Sequence, residues 1–272
     1  MCCQFPTDLT TSILHFQTNK TDVGPDERSF AYIIHHYTKG AGRLTPEAPD
    51  RALKLLRKMV SLYKQGYKEL LPRTHNKTNP MFTFTSVVDA HSVLRRSDAG
   101  IVGEELLDIM TRLGETVEAL KPNTYMCLSV LYGWSSCGSV DAGERATTLL
   151  RRMEEEMANV TTGSQMKAGE FGNKTIKPTA SSLPSSIMRT TQRCYVLAQT
   201  AWARSPSRRK AEGALEVLEM MEKNYASGNM DAKPTVQAYS MVRCCCTVTQ
   251  CSLLPFWFDT TCFPLHILTC LF

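Results

Sequence analysis

The chain has 272 residues, a formal charge of +5 and 43% hydrophobic residues. With 21% charged residues as well, its composition excludes a wholly disordered chain, a collagen-like chain and a protein with many membrane spans. At roughly 100–200 residues per domain, the length predicts one or two compact units or one elongated array.

The N-terminal segment 1–24 is predicted to be disordered. It has no basic stretch followed by an apolar run, which a secretory signal would need. The first 30 residues hold four acidic and two basic side chains, and this acidic balance does not fit an organellar transit peptide.

An apolar stripe with helical spacing recurs four times along the chain. In each copy a small residue is followed by apolar residues at offsets 3 and 4 and by Met at offset 7, which places all four on one helix face. The four stripes begin at Ala52, Gly103, Ala146 and Ala214. The same offsets in four places predict four repeats of one helix, which we call the B helix.

A second helix, the A helix, is predicted before each B helix from two markers seven residues apart, which share a helix face. The marker pairs are Phe30 and Tyr37, Phe84 and His91, Cys127 and Trp134, and Tyr195 and Trp202. The chain therefore reads as four helical hairpins. A fifth A helix starts near Tyr239, but its second marker position holds Cys246 and no B stripe follows.

Prolines are predicted to mark the starts of the A helices, because proline is tolerated at a helix start and not inside the preceding helix. They stand four or five residues before the first markers, at Pro25, Pro80, Pro122 and Pro234. A further Lys177-Pro178 is followed by a Ser/Pro-rich stretch, 180–189, predicted to be an inserted loop. The array is thus expected to cover 25–243.

The segment 244–272 differs from the rest of the chain. It holds six of the 11 cysteines and one charged residue, Asp259. We interpret it as an apolar tail outside the folded array that replaces an expected B helix, as a retained intron or a frameshift would. A C-terminal membrane anchor over 252–272 is the alternative, although Pro255 and Pro264 weaken it.

The sequence predicts neither a metal site nor a catalytic motif. His35 and His36 are adjacent and so point to different faces of a helix, and the cysteines from Cys244 to Cys251 lack paired C-x2-C spacing. The sequence contains no nucleophile elbow, P-loop or G-x-G-x-x-G pattern. We therefore expect no enzyme, no cofactor, no metal and no small-molecule substrate.

The hairpins resemble the pentatricopeptide-repeat (PPR) family over about residues 25–243. The resemblance rests on Lys121-Pro-Asn-Thr, on Trp134-Ser-Ser-Cys-Gly-Ser and on Leu149-Leu-Arg-Arg-Met-Glu. It implies an all-α fold, an α-solenoid of stacked helix-turn-helix repeats, that binds single-stranded RNA with one base per repeat. It also implies a role in RNA metabolism in a mitochondrion or plastid.

The same resemblance implies candidate RNA-binding positions. The residue after the first marker and the residue closing the repeat would read the base, and the residue two before the marker would stack on it. Thr85 with Asn123 forms a polar pair of the family's kind, which implies a purine preference. The carried-over RNA-binding residues are Phe82, Tyr125 and Arg193 for stacking, and Thr85, Asn123, Thr179 and Thr235 for reading.

Leu128 and Val196, which follow the third and fourth first markers, cannot hydrogen-bond a base edge, so the sequence predicts weak base selectivity. Phosphate attraction is expected from basic residues. The best candidate cluster lies in the loop between two helices without an acid in its sequence: Arg204, Arg208, Arg209 and Lys210.

A tetratricopeptide-like scaffold that binds protein partners in its groove is the alternative. That repeat has a period of 34, Leu-Gly after its first marker and Ala-x3-Phe in its second helix, and this chain departs from all three. Protein partners in a concave groove are also an expectation for the PPR reading, whereas a membrane partner is not.

Overall fold

The computed structural model describes residues 26–39, 45–70, 80–168 and 188–249, and these form nine α-helices and no strand. The helices are α1 (Glu27–Thr38), α2 (Ala48–Lys64), α3 (Pro80–Val93), α4 (Ala99–Gly114), α5 (Thr124–Cys137), α6 (Ala142–Ala168), α7 (Gln192–Arg204), α8 (Lys210–Ala226) and α9 (Val236–Thr249). Short 3-10 turns follow α2, α4 and α8, at Lys68–Leu70, Glu118–Leu120 and Met230–Ala232. The predicted all-α class is confirmed.

The helices alternate as the two sequence patterns predict. Odd-numbered helices carry the A markers and even-numbered helices carry the B stripes, so α1–α8 form four A/B pairs and α9 is a fifth A helix. All four first markers are almost completely buried: Phe30, Phe84, Cys127 and Tyr195. The apolar spacing therefore identified the buried face of each helix, and the repeat-like architecture is confirmed.

Local sequence explains where several helices begin and end. The carboxylate of Asp26 accepts a hydrogen bond from the backbone N–H of Ser29 at 2.9 Å and caps α1. Pro80 is itself the first residue of α3, a position where the missing N–H of proline has no helical acceptor. Gly138 ends α5 with φ at +64°, a left-handed conformation that glycine adopts without steric cost.

Extensive contacts between the described helices join partners in one pair or in successive pairs. Each of the first four A helices packs on its own B helix and on the next A helix, and α2, α4, α6 and α8 each also contact the A helix that follows. A continuous hydrophobic core runs from Phe30 in α1 to Cys246 in α9. Each hairpin therefore completes its apolar burial with its neighbours along the chain.

Tryptophan rings fit against glycines where successive hairpins meet. Trp134 of α5 covers Gly100 of α4, and Trp202 of α7 lies against both Gly143 of α6 and Gly213 of α8. A methyl group at any of these glycines would collide with the indole ring. The sequence patterns did not single out these glycines.

The boundary predicted between residues 243 and 244 falls inside helix α9, which continues to Thr249. Cys245 is 2% exposed and Cys246 is 5% exposed, and both belong to the core. Cys246 thus occupies the second marker position as a small buried side chain. The first cysteines assigned to the tail are part of the folded array.

No described helix has the combination of length and hydropathy that a membrane span requires. Four predictions lie wholly or mostly outside the described residues: the disordered segment 1–24, the inserted loop 180–189, Thr179 and the tail beyond residue 249.

Candidate nucleic-acid interface

The residues two positions before the first markers all lie on the surface. Phe82 is 54% exposed and Tyr125 is 74% exposed. A shift of two residues turns a helical side chain by about 200°, so burial of the marker directs this position outwards. The complete set, one from each A helix, is Arg28, Phe82, Tyr125, Arg193 and Gln237, and every member is exposed.

The two aromatic members of this set, Phe82 and Tyr125, lie at the starts of neighbouring A helices that pack on one another. The ring of Phe82 is tilted by 53° against the ring of His35 from α1, with 5.2 Å between the centroids. Tyr125 is fixed through its backbone, because its N–H donates to Asn123 Oδ1 at 2.9 Å. Phe82 thus has one ring neighbour, Tyr125 is held at its backbone, and both rings remain largely exposed.

Thr85 and Asn123, the pair predicted to read a base, are occupied within their own helices. Thr85 is 7% exposed, and its hydroxyl donates to the Phe82 carbonyl at 3.2 Å. The Asn123 side chain accepts from the N–H groups of Tyr125 and Met126 and caps α5. Their polar character has a structural cause, so the geometry gives no support to the predicted polar reading pair.

The remaining predicted reading positions offer little to a base edge. Leu128 and Val196 are half-buried apolar residues. Thr235 is half-buried, and its hydroxyl accepts a 3.4 Å hydrogen bond from the Gln192 side chain. These side chains therefore give no support to base reading at the third and fourth hairpins.

A cleft of about 600 Å³ lies between α7 and α9. It brings together two of the exposed surface positions, Arg193 and Gln237, with the reading position Val196. Gln192 and Asp231 also line it, and the sequence analysis assigned neither of them to the site. Their proximity depends on how α9 packs on α7, which no spacing along the chain reveals.

The charge of Arg193 is shared with an acidic neighbour. Desolvation raises the pKa of the Asp89 carboxyl, while a hydrogen bond from Ser129 and the positive charge of Arg193 act in the opposite direction. Asp89 belongs to α3, so this interaction reaches across from another hairpin. Arg193 therefore presents less net positive charge to a ligand than its exposure alone indicates.

The cluster predicted to contact phosphate is divided by the fold. Arg204 ends α7 and donates to the Ser135 carbonyl at 3.0 Å. Arg209 pairs with Glu144 of α6 at 3.3 Å and with Glu212 at 3.4 Å. Lys210 begins α8 and is half-buried, whereas Arg208 is exposed and pairs with no described acid. Arg209 of this run thus pairs with acids that the sequence does not place beside it, and phosphate contact by the cluster stays a prediction.

Other basic side chains on the B helices pair with acids of the next hairpin. Arg57 of α2 pairs with Glu105 of α4, and Arg151 of α6 pairs with Glu216 of α8. In both pairs the arginine lies five residues after the head of its stripe and the acid lies two residues after the head of the next stripe. These residues link neighbouring hairpins on the B side.

Comparison of the chain with family models, with curated proteins and with solved structures gives no match. The resemblance to PPR proteins therefore rests on the sequence motifs themselves.

Proposed function

We propose that this protein is a non-catalytic, single-stranded RNA-binding α-solenoid of PPR type. The observation that carries the proposal is the exposed row formed by one residue at the same position of each of the five A helices. The row consists of Arg28, Phe82, Tyr125, Arg193 and Gln237. Contacts between successive A helices support a ladder along which a strand would run.

Stacking is the physical basis of this proposal. Unpaired bases stack on aromatic rings and on arginine guanidinium planes, and each aromatic stack contributes about 1–3 kcal/mol. Phe82 and Tyr125 are adjacent in the row and offer two such surfaces. Arg28 and Arg193 extend the row on either side, so RNA would be held mainly by the faces of its bases.

Base selectivity is proposed to be low. Reading a base requires polar side chains at its edge, and Thr85 and Asn123 are already hydrogen-bonded within the protein. Electrostatic attraction is also proposed to be modest, because many arginines on the surface pair with acids. The salt dependence of binding should therefore be shallow but present.

An organellar role in RNA metabolism, in a mitochondrion or plastid, is the biological setting that the PPR resemblance suggests. It remains part of this proposal.

The proposal is tested by measuring the affinity of fluorescent homopolymeric single-stranded RNA for the full chain over a range of salt concentrations. Phe82→Ala and Tyr125→Ala should each weaken binding about 5- to 150-fold, the equivalent of 1–3 kcal/mol. Ile101→Ala is the matched control, because Ile101 is 61% exposed but lies on the B helix α4.

Equal losses in Ile101→Ala and Tyr125→Ala would reject the stacking row. Binding that is absent at every salt concentration would reject RNA binding altogether. Peptide binding in the same groove would then favour the tetratricopeptide-like alternative.

A further inference from the structure

His91, the second marker of α3, has an unusual environment for a core residue. It is fully buried, and its Nδ1 lies 2.9 Å from the Val87 carbonyl oxygen. Because a carbonyl oxygen only accepts hydrogen bonds, Nδ1 must carry a proton. In the neutral ring, Nε2 is then an acceptor with an available lone pair.

A carboxylate lies close to that nitrogen. Nε2 of His91 has no hydrogen-bond partner among the described residues, and Asp50 Oδ1 lies 3.8 Å away, beyond hydrogen-bond distance. Two acceptors that face each other at a buried position are unfavourable unless a positive charge lies between them. A proton on Nε2 or a bound metal ion would relieve this repulsion, and the nearby Asp98 favours the metal ion.

Asp98 completes a group of three potential ligand atoms. One atom each from Asp50, His91 and Asp98 lies within 4.8 Å of the other two. Ligands of a tetrahedral zinc ion with bonds near 2.0 Å are about 3.3 Å apart. Small rotations of the two partly exposed carboxylates would close the difference.

We propose that Asp50, His91 and Asp98 form a binding site for a divalent transition metal ion, with Zn²⁺ as the preferred ion. Imidazole favours zinc and its neighbours in the periodic table over Mg²⁺ and Ca²⁺. The hydrogen bond from Nδ1 to the Val87 carbonyl is the outer contact that orients most metal-binding histidines. The sequence predicted no metal site, since the ligands come from three separate helix ends.

The site joins two hairpins. Asp50 lies in the first turn of α2, His91 in the last turn of α3, and Asp98 is the N-cap residue of α4. A bound ion would tie the first hairpin to the second at the position where Trp134 and Trp202 join later hairpins. A zinc ion would thus join the first two hairpins at the position where an indole ring joins later hairpins.

Arg96 holds the carboxylates in place. Its Nη1 lies 2.7 Å from Asp50 Oδ2 and its Nε lies 3.1 Å from Asp98 Oδ1. This leaves Asp50 Oδ1 facing His91, and Arg96 would yield one oxygen of Asp98 when metal binds. Two carboxylates and one guanidinium give the group a net charge of −1, which favours a divalent cation.

The test is a titration of metal-free full-length protein with ZnCl₂, followed by calorimetry and by the shift of the unfolding temperature. Wild-type protein should bind one Zn²⁺ at this site and unfold at a higher temperature, whereas MgCl₂ should have no effect. The double variant Asp50→Asn/Asp98→Asn and the single variant His91→Gln should bind at least about tenfold more weakly.

Arg96→Met is the control for loss of the ion pairs. It breaks the same ion pairs as the double variant but keeps all three ligands, so it should retain the zinc response. Cys244→Ser tests for binding by thiols and should also retain it. Undiminished zinc binding in the double variant, or its loss in Arg96→Met or Cys244→Ser, would overturn the proposal.

Discussion

Asn123 links the end of one repeat to the start of the next, and its side chain accepts hydrogen bonds from the N–H groups of Tyr125 and Met126. The family resemblance implied that this residue and Thr85 read a base. At the scale of single residues, the sequence predicted which positions are polar and could not predict what binds them. An asparagine that caps a helix and one that reads a base would be the same residue at the same position of the sequence. Only the geometry of the helix start distinguishes the two roles.

Asn123→Ala should lower the free energy of unfolding by about 1 kcal/mol, because two N–H groups at the start of α5 lose their acceptor. Asn123→Ser keeps an N-cap acceptor and should stay within a few tenths of the wild-type value. Urea denaturation measures both. Should Asn123→Ser instead change base preference in RNA binding at unchanged stability, Asn123 would be a reading residue after all.

The elements were predicted well because their apolar spacing is regular. Periodicity of 3.6 identifies the buried face of an amphipathic helix, and the markers and stripes fall on the described helices. The spacing could not predict which residues of other helices pack against each buried face. The contacts of Gly100 with Trp134, and of Gly143 with Trp202, join residues from different hairpins, and their distance along the chain includes loops of unequal length.

Gly143→Ala should destabilise the protein by about 1–3 kcal/mol, although alanine is the better helix former by about 1 kcal/mol. The added methyl group would collide with the ring of Trp202. Gly103→Ala is the matched control, because the nearest atoms to its new methyl group lie 3.3 Å away in Val130 and Val88. Thermal and urea unfolding should rank the two variants in this order, and equal stabilities would contradict the packing described here.

At the scale of the whole molecule, the abrupt change in composition near residue 243 suggested an end to the fold. The helix continues because the side chains of Cys245 and Cys246 are apolar enough to be buried against the preceding helices. Composition separates charged from apolar sequence, but it does not separate a tail from the last buried turns of a helix. Composition likewise does not reveal that surface arginines pair with acids of other hairpins.

A chain that ends after residue 243 should be less stable than one that ends after residue 249 by at least about 1 kcal/mol, since it lacks two buried side chains of the core. Urea unfolding of the two chains, measured side by side, gives this difference directly. Identical midpoints and slopes would mean that the last turns of α9 add nothing to the array.

Packing between successive hairpins also has a consequence for how the molecule opens. Where each unit relies on its neighbours, the outermost of the described units have one described interface fewer, so they should open first and opening should spread inwards unit by unit. Amide hydrogens of α5 and α7, which lie between neighbours on both sides, would then exchange with solvent more slowly than those of α1 and α9. The exposed rings of Phe82 and Tyr125 lie at the starts of α3 and α5, so one end of the chain could fray while this surface persists.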